Sequence, residues 1–192
     1  YEFLPISING KDLGVYALEE HFSKELLENS GFREGPIIKI SDQDYREEQK
    51  REKLLDYQSV IRTVNENNSE VLPFNIDKTA NNGSRISQLN LATNLLNQLL
   101  RKEVKTSEVF DLKLTAKYFA LCDLLGAVNA NTWFDMRYYF NPISSRLIPI
   151  GYDAQFPIRN RNRQLSYDLN VIGLFNEPIF LKEYLKELER VS

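Results

Sequence analysis

A chain of 192 residues with 42% apolar and 27% charged residues has an ordinary globular composition and enough length to bury about 70% of its unfolded surface. Its formal charge of −3 argues against nucleic acid as the main partner. A single cysteine, Cys122, excludes an internal disulfide and disfavours a cysteine zinc site, and a single histidine, His21, excludes a multi-histidine metal centre. No apolar run approaches the roughly 20 residues that span a bilayer, and no signal peptide is visible.

The chain opens at Tyr1 inside a strand-like pattern, which reads as an excised domain whose N-terminal part is missing. Glu2 to Ile8 is rich in β-formers, Asn9-Gly10-Lys11-Asp12 is turn chemistry, and Leu13 to Leu18 returns as a second strand. Glu19 to Asn29 predicts a short amphipathic helix stopped by Gly31, followed by a short strand over Pro36 to Ile40.

Asp42 to Asp56 is dense in charge and predicts a solvated helix with i,i+4 pairs. Residues 62–85 hold Asn, Ser, Thr and Gly and predict a loop. Ser84 or Ser87 would cap the next helix, with Ile86, Leu89, Leu91, Leu95, Leu96, Leu99 and Leu100 as its apolar side. Thr106 or Ser107 would cap one longer helix that buries Phe110, Leu114, Tyr118, Phe119, Leu121, Leu124 and Leu125 and ends at Gly126.

After a loop over 128–134, Met136 to Phe140 and Arg146 to Ile150 predict a second hairpin, joined by Asn141-Pro142-Ile143-Ser144-Ser145. Residues 157–170 look irregular and carry Arg159, Arg161 and Arg163. A last helix begins near Pro178, with Asn176 as its cap, and runs to about Arg190. The fold class is α+β, mainly helical with two small antiparallel hairpins.

The second hairpin carries a geometric argument. With its turn centred near Ile143 and Ser144, Tyr138 falls opposite about Pro149, and Asp135 falls opposite Tyr152 or Asp153. Carboxylates about 4.5–8 Å apart across a ladder repel unless a cation or proton lies between them. Mg²⁺ takes hard oxygen ligands of this kind. The pair therefore predicts a divalent-metal pocket at the open end of the hairpin; two solvated loop aspartates are the alternative on geometry alone.

The stretch VFDLKLTAKYFALCDLLGAVNANTWFDMRYYFNPISSRLIPIGYDA, Val109 to Ala154, resembles the catalytic core of the CotH kinase family: a helix ending in LLG, a polar loop, an aromatic hairpin with NP at its turn, and an aspartate after P-x-G. Asn9 to Ser41, NGKDLGVYALEEHFSKELLENSGFREGPIIKIS, resembles the hinge region of that family. Together the two stretches cover roughly half the chain, in the expected order.

The resemblance implies a protein-kinase-like C-lobe, with a hinge-region hairpin, helix and short strand over 1–41 and a helical lobe with the metal-site hairpin over 42–192, the N-lobe with its lysine and glycine-rich loop being absent. It implies a nucleotide, ATP, held with Mg²⁺ or Mn²⁺. Asp153 takes the part of the DFG aspartate and Asp135 that of the catalytic-loop asparagine; both would be metal ligands. Asn129 falls where the catalytic aspartate is expected, six residues before Asp135 rather than the five of H-R-D-x-x-x-x-N. An amide accepts a hydrogen bond but does not hold a proton near neutral pH. Glu19, Glu20 and His21 sit where a hinge would meet adenine, as cofactor-binding candidates. Arg159, Arg161 and Arg163 sit in activation-segment territory, where they would receive phosphate or an acidic peptide.

The activity implied is Mg/ATP-dependent transfer of phosphate to Ser or Thr of a protein substrate. A nucleotide-binding pseudokinase or scaffold is the second reading, and a basic loop for anionic polymers the third. The family resemblance also implies an exported, cell-envelope or spore setting. Asp135 and Asp153 thus stand as the predicted metal ligands, and Asn129 as the residue on which transfer turns.

Overall fold

A computed structural model describes residues 2–18, 20–41, 70–74, 83–127, 129–133, 135–152, 154 and 173–192, with Gln43 and Glu47. The chain divides into two units, Tyr1–Glu34 and Gly35–Ser192.

The first unit is a hairpin and a short helix. Strands β1 (Glu2–Ile8) and β2 (Lys11–Leu18) pair antiparallel, with Ile8 opposite Lys11. Asn9 and Gly10 both have positive φ, 52° and 77°, the geometry of a type I′ turn whose twist matches the strands it joins. Lys11 and Asp12 therefore belong to the strand and not to the turn. A bulge follows, where the register shifts between Pro5 and Ser7. Gly14 supplies its φ of +84° and donates its N–H to Asp12 Oδ1 at 2.8 Å.

Helix α1 covers only Lys24–Asn29 and begins after Ser23. Gly31 ends it as expected: at φ +76° its N–H reaches Glu28 O, and the Phe32 N–H reaches Leu27 O. This is a Schellman stop, which glycine enters without a Cβ penalty.

The second unit is α+β. Strands β3 (Ile37–Ile40), β4 (Val71–Pro73), β5 (Arg137–Asn141) and β6 (Arg146–Ile150) form one antiparallel sheet in the order β4-β3-β5-β6. The expected hairpin is present as β5–β6, and it is half of this larger sheet. Strand β4 lies in the stretch read as a loop; three residues are too few to show alternation. Both edge strands carry a proline, Pro73 and Pro149, which is tolerated where no further strand needs the N–H.

Helix α2 (Gly83–Leu100) packs on β3, β4 and β5 through Ala92 and Leu96. Ser87 does not cap it: the hydroxyl bonds back to Gly83 O from inside the helix. Ile86 and Leu91 are exposed.

The single long helix expected after Thr106 is two. Helix α3 (Thr106–Val109) stops at Phe110, which bridges to Leu147, and the Asp111 N–H donates to Leu147 O at 3.0 Å. Asp111 then caps α4 (Leu112–Leu125) by accepting from Leu114 N at 3.0 Å. The sheet breaks the helix by taking two of its residues as partners. Along α4, Ala116, Phe119 and Ala120 are buried, whereas Leu124 and Leu125, expected in the core, are half-exposed.

Helix α5 (Pro178–Val191) starts at Pro178, but Glu177 and not Asn176 precedes it as the cap position. Glu177 uses its carboxylate elsewhere, accepting from the Ser107 N–H at 2.8 Å and from the Ser107 hydroxyl.

The core sits between one face of the sheet and the helices. Tyr138 and Phe140 of β5 meet Phe110, Phe119, Met136 and Trp133 in one buried cluster with Phe180 and Tyr184 of α5. Tyr184 also donates to Asp123 Oδ2 at 2.6 Å, tying α5 to α4. Burial raises the Asp123 carboxyl pKa, and the Tyr184 bond pulls it partly back.

A folded-state pKa above the unfolded one means that stability is lost as pH rises from the unfolded value to the folded one. The tyrosine bond offsets part of that loss once Asp123 is ionised. Tyr184→Phe should therefore cost about 2 kcal/mol at pH 7 and about 1 kcal/mol at pH 3, since hydrogen bonds to charged groups are the stronger. Denaturant titrations at the two pH values measure the difference; equal losses would refute the charge-assisted bond.

Candidate functional site

The segment from Gly126 to Arg137 is built by contacts at both ends. Gly126, at φ +66°, closes α4 with its N–H on Asp123 O and the Ala127 N–H on Cys122 O. The chain therefore leaves α4 sharply and enters a single 3-10 turn at Asn129–Asn131. The Tyr118 hydroxyl, one helical turn before Cys122, donates to Ala130 O and holds that turn against α4. Burial raises the Tyr118 pKa well above its usual value, which keeps the phenol a donor.

Trp133, the only tryptophan, is buried edge-on to Tyr138 with ring centroids 5.7 Å apart. The N–H groups of Asp135 and Met136 both donate to Thr132 O, at 2.9 and 3.0 Å. Asp135 itself is half-buried, between this turn and β5.

The β5–β6 register is the one read from the sequence. Tyr138 pairs with Pro149, and the ladder's last pair is Arg137 with Ile150. The ladder ends there, because the Asp135 and Met136 N–H groups are taken by Thr132 O; Tyr152, the neighbour of Asp153 in the chain, comes to this end through its ring, over which the Arg137 guanidinium lies. Asp153 lies outside the described residues, as do Glu19 and Arg159, Arg161 and Arg163. For Asn129 the backbone alone is described, in the 3-10 turn. Glu20 and His21 belong to the first unit. Glu20 accepts from the Asn29 amide at the end of α1, and the His21 ring lies 6.3 Å from that of Phe22. Both are exposed.

Two side chains of this loop carry oxygens of the type a hard cation takes: the Asp135 carboxylate, and the buried Asn131, whose Oδ1 has no hydrogen-bond partner among the described residues. Oxygen ligands of this type, one or two from the protein, are what Mg²⁺ takes alongside phosphate oxygens. Among the described residues no three His, Cys, Asp or Glu side chains converge to hold a metal, so a site here needs oxygen from beyond that group.

Two residues of this region were not singled out for it by their sequence positions. Tyr118 reads as a core residue of α4, and its spacing gives no hint that its hydroxyl reaches Ala130. Arg137 reads as an ordinary strand residue. In the structure its Nη1 donates to Asp135 O at 2.8 Å and to Met136 O at 3.1 Å. Its guanidinium carbon lies 5.7 Å from the Phe74 ring centroid and 5.5 Å from that of Tyr152.

Cys122 is buried on α4, and desolvation pushes its thiol up to about 12. The thiolate is the nucleophile, so iodoacetamide at pH 8 should leave the folded protein unlabelled and should label it fully in denaturant. Rapid labelling of the native state, read by mass spectrometry, would contradict this burial.

Among the described residues no helix is long and apolar enough to cross a membrane. Compared with known proteins, the chain matches no family model, and no curated protein matches it.

Proposed function

We propose that this chain is part of an atypical kinase of the CotH type, with residues 42–192 as a kinase-like C-lobe that holds ATP and a divalent cation at the loop before β5. The observation that carries the reading is the β5–β6 register, Tyr138 on Pro149. At the end of that ladder the Arg137 guanidinium meets both the Asp135 carbonyl and the Tyr152 ring, so Asp135 and the chain neighbour of Asp153 share one cation.

In this reading Asp153 and Asp135 ligate Mg²⁺ or Mn²⁺, which would neutralise charge on the phosphates of the bound nucleotide. The chain's own contribution is positional. The Schellman stop at Gly126 and the Tyr118 bond to Ala130 O place the Asn129–Asn131 turn, and the two N–H groups on Thr132 O aim the chain into β5. Arg159, Arg161 and Arg163 serve as an acceptor-binding segment for a protein Ser or Thr substrate. A resemblance of this kind carries an exported, envelope or spore setting with it.

Asn129 favours the second form of the reading, a pseudokinase that binds nucleotide and transfers phosphate weakly or not at all. An amide does not take up the acceptor's proton at neutral pH. Phosphoryl transfer nevertheless depends mostly on positioning and charge stabilisation.

A thermal-shift titration of the intact protein with Mg·ATP tests binding: a saturable rise is expected, and no rise would remove the proposal. A γ-phosphate transfer assay then compares the protein with Asn129→Asp. The substitution should raise transfer by about 100-fold, in the range that a positioned general base contributes. Unchanged transfer would take Asn129 out of the base position.

A further inference from the structure

We infer that Arg137 is the positioning residue that holds the Asp135 loop and Tyr152 together at the proposed nucleotide site; the inference rests on that reading. Arg137 is anchored in β5, where it pairs with Lys39 of β3 and Ile150 of β6. One edge of its guanidinium donates to the carbonyls of Asp135 and Met136, at 2.8 and 3.1 Å. Two rings stand within 6 Å of its central carbon: Phe74, immediately after β4, and Tyr152, immediately before Asp153.

One planar cation thus gathers three separate pieces of chain. They are the end of β4, the Asp135 loop and the segment that leads to Asp153. Cation–π contacts of this distance favour a fixed ring position over the cation. The carbonyl bonds fix the Asp135 backbone from the same group. A guanidinium does not ligate a metal, so Arg137 acts through Asp135 and Tyr152 and not on the nucleotide itself. Lysine would keep the charge, but it lacks the planar fork that stacks with its face while donating from its edge.

The experiment is calorimetric titration of the intact protein with a non-hydrolysable ATP analogue, with and without Mg²⁺, below the melting temperature of each variant. For the wild type, Mg²⁺ should tighten binding at least 10-fold. In Arg137→Gln and Arg137→Lys that Mg²⁺-dependent gain should shrink about 10-fold, the loss typical when a ligand's supporting partner is removed. Binding without Mg²⁺ should stay within about 2-fold, because the nucleotide does not touch Arg137 in this scheme. Tyr152→Leu, which leaves β5 intact and removes only one ring, should give an intermediate loss.

A full gain in Arg137→Lys would overturn the positioning role, since charge alone would then suffice. Equal losses with and without Mg²⁺ would also overturn it, because they would mark a merely structural residue. A wild type with no Mg²⁺-dependent gain would remove the nucleotide reading itself, and the role of Arg137 with it.

Discussion

If the protein binds Mg·ATP as proposed, Asp135→Ala should abolish the expected thermal shift and weaken Mg²⁺-dependent nucleotide binding by about 100-fold, at the upper end of the losses seen for groups that tune a metal site. The expectation follows from where Asp135 lies. Its backbone is pinned twice, by its own N–H on Thr132 O and by the Arg137 guanidinium on its carbonyl. A carboxylate on a fixed backbone loses little conformational freedom when it binds, so its removal forfeits nearly the whole interaction. Asp135→Asn keeps an oxygen but not the charge and should fall between the two. Wild-type Mg²⁺ dependence in Asp135→Ala would exclude this aspartate as a ligand, and Asp153→Ala would then show whether the other carboxylate acts alone.

The second large effect is on stability. A Cβ placed on Gly35 would stand 2.3 Å from Phe140 O and 2.9 Å from Tyr139 Cε2. The nearer atom is backbone of the central strand β5, and it cannot swing away as a side-chain end can. Phe140 N also donates to Pro36 O at 2.9 Å, so separating the two segments would stretch a hydrogen bond as well. Gly35→Ala should therefore cost about 3 kcal/mol, the upper part of the range for overpacking. For a chain of this length that corresponds to a fall of about 9 °C in melting temperature. A change of under 1 °C would mean that the approach of Gly35 to β5 is not close in solution.

Much of the local structure was legible in a few residues. Asn9-Gly10 specified its turn because both positions must take positive φ, which these two residues tolerate. Gly31 and Gly126 marked helix ends for the same reason, and Pro178 marked a helix start because its missing N–H is not needed there. The pairing of Tyr138 with Pro149 followed from a turn centre and simple counting, since a hairpin's register depends on little beyond its loop. These features depend on neighbours within a few residues, so a short window of sequence contains their cause.

The rest depended on partners far along the chain. Ile38 pairs with Tyr138 a hundred residues later, and no periodicity in either strand names the other. The helix predicted across Phe110 is interrupted because Leu147 offers it a sheet partner. Asn176 loses the cap position in α5, while the neighbouring Glu177 is drawn to Ser107. For the candidate site, the sequence by itself determined which carboxylates and which amide come into question, through hairpin register and family resemblance. Only the tertiary structure decided that Arg137 joins Phe74, the Asp135 loop and Tyr152, because a guanidinium collects its partners by proximity in space and not by spacing in the chain.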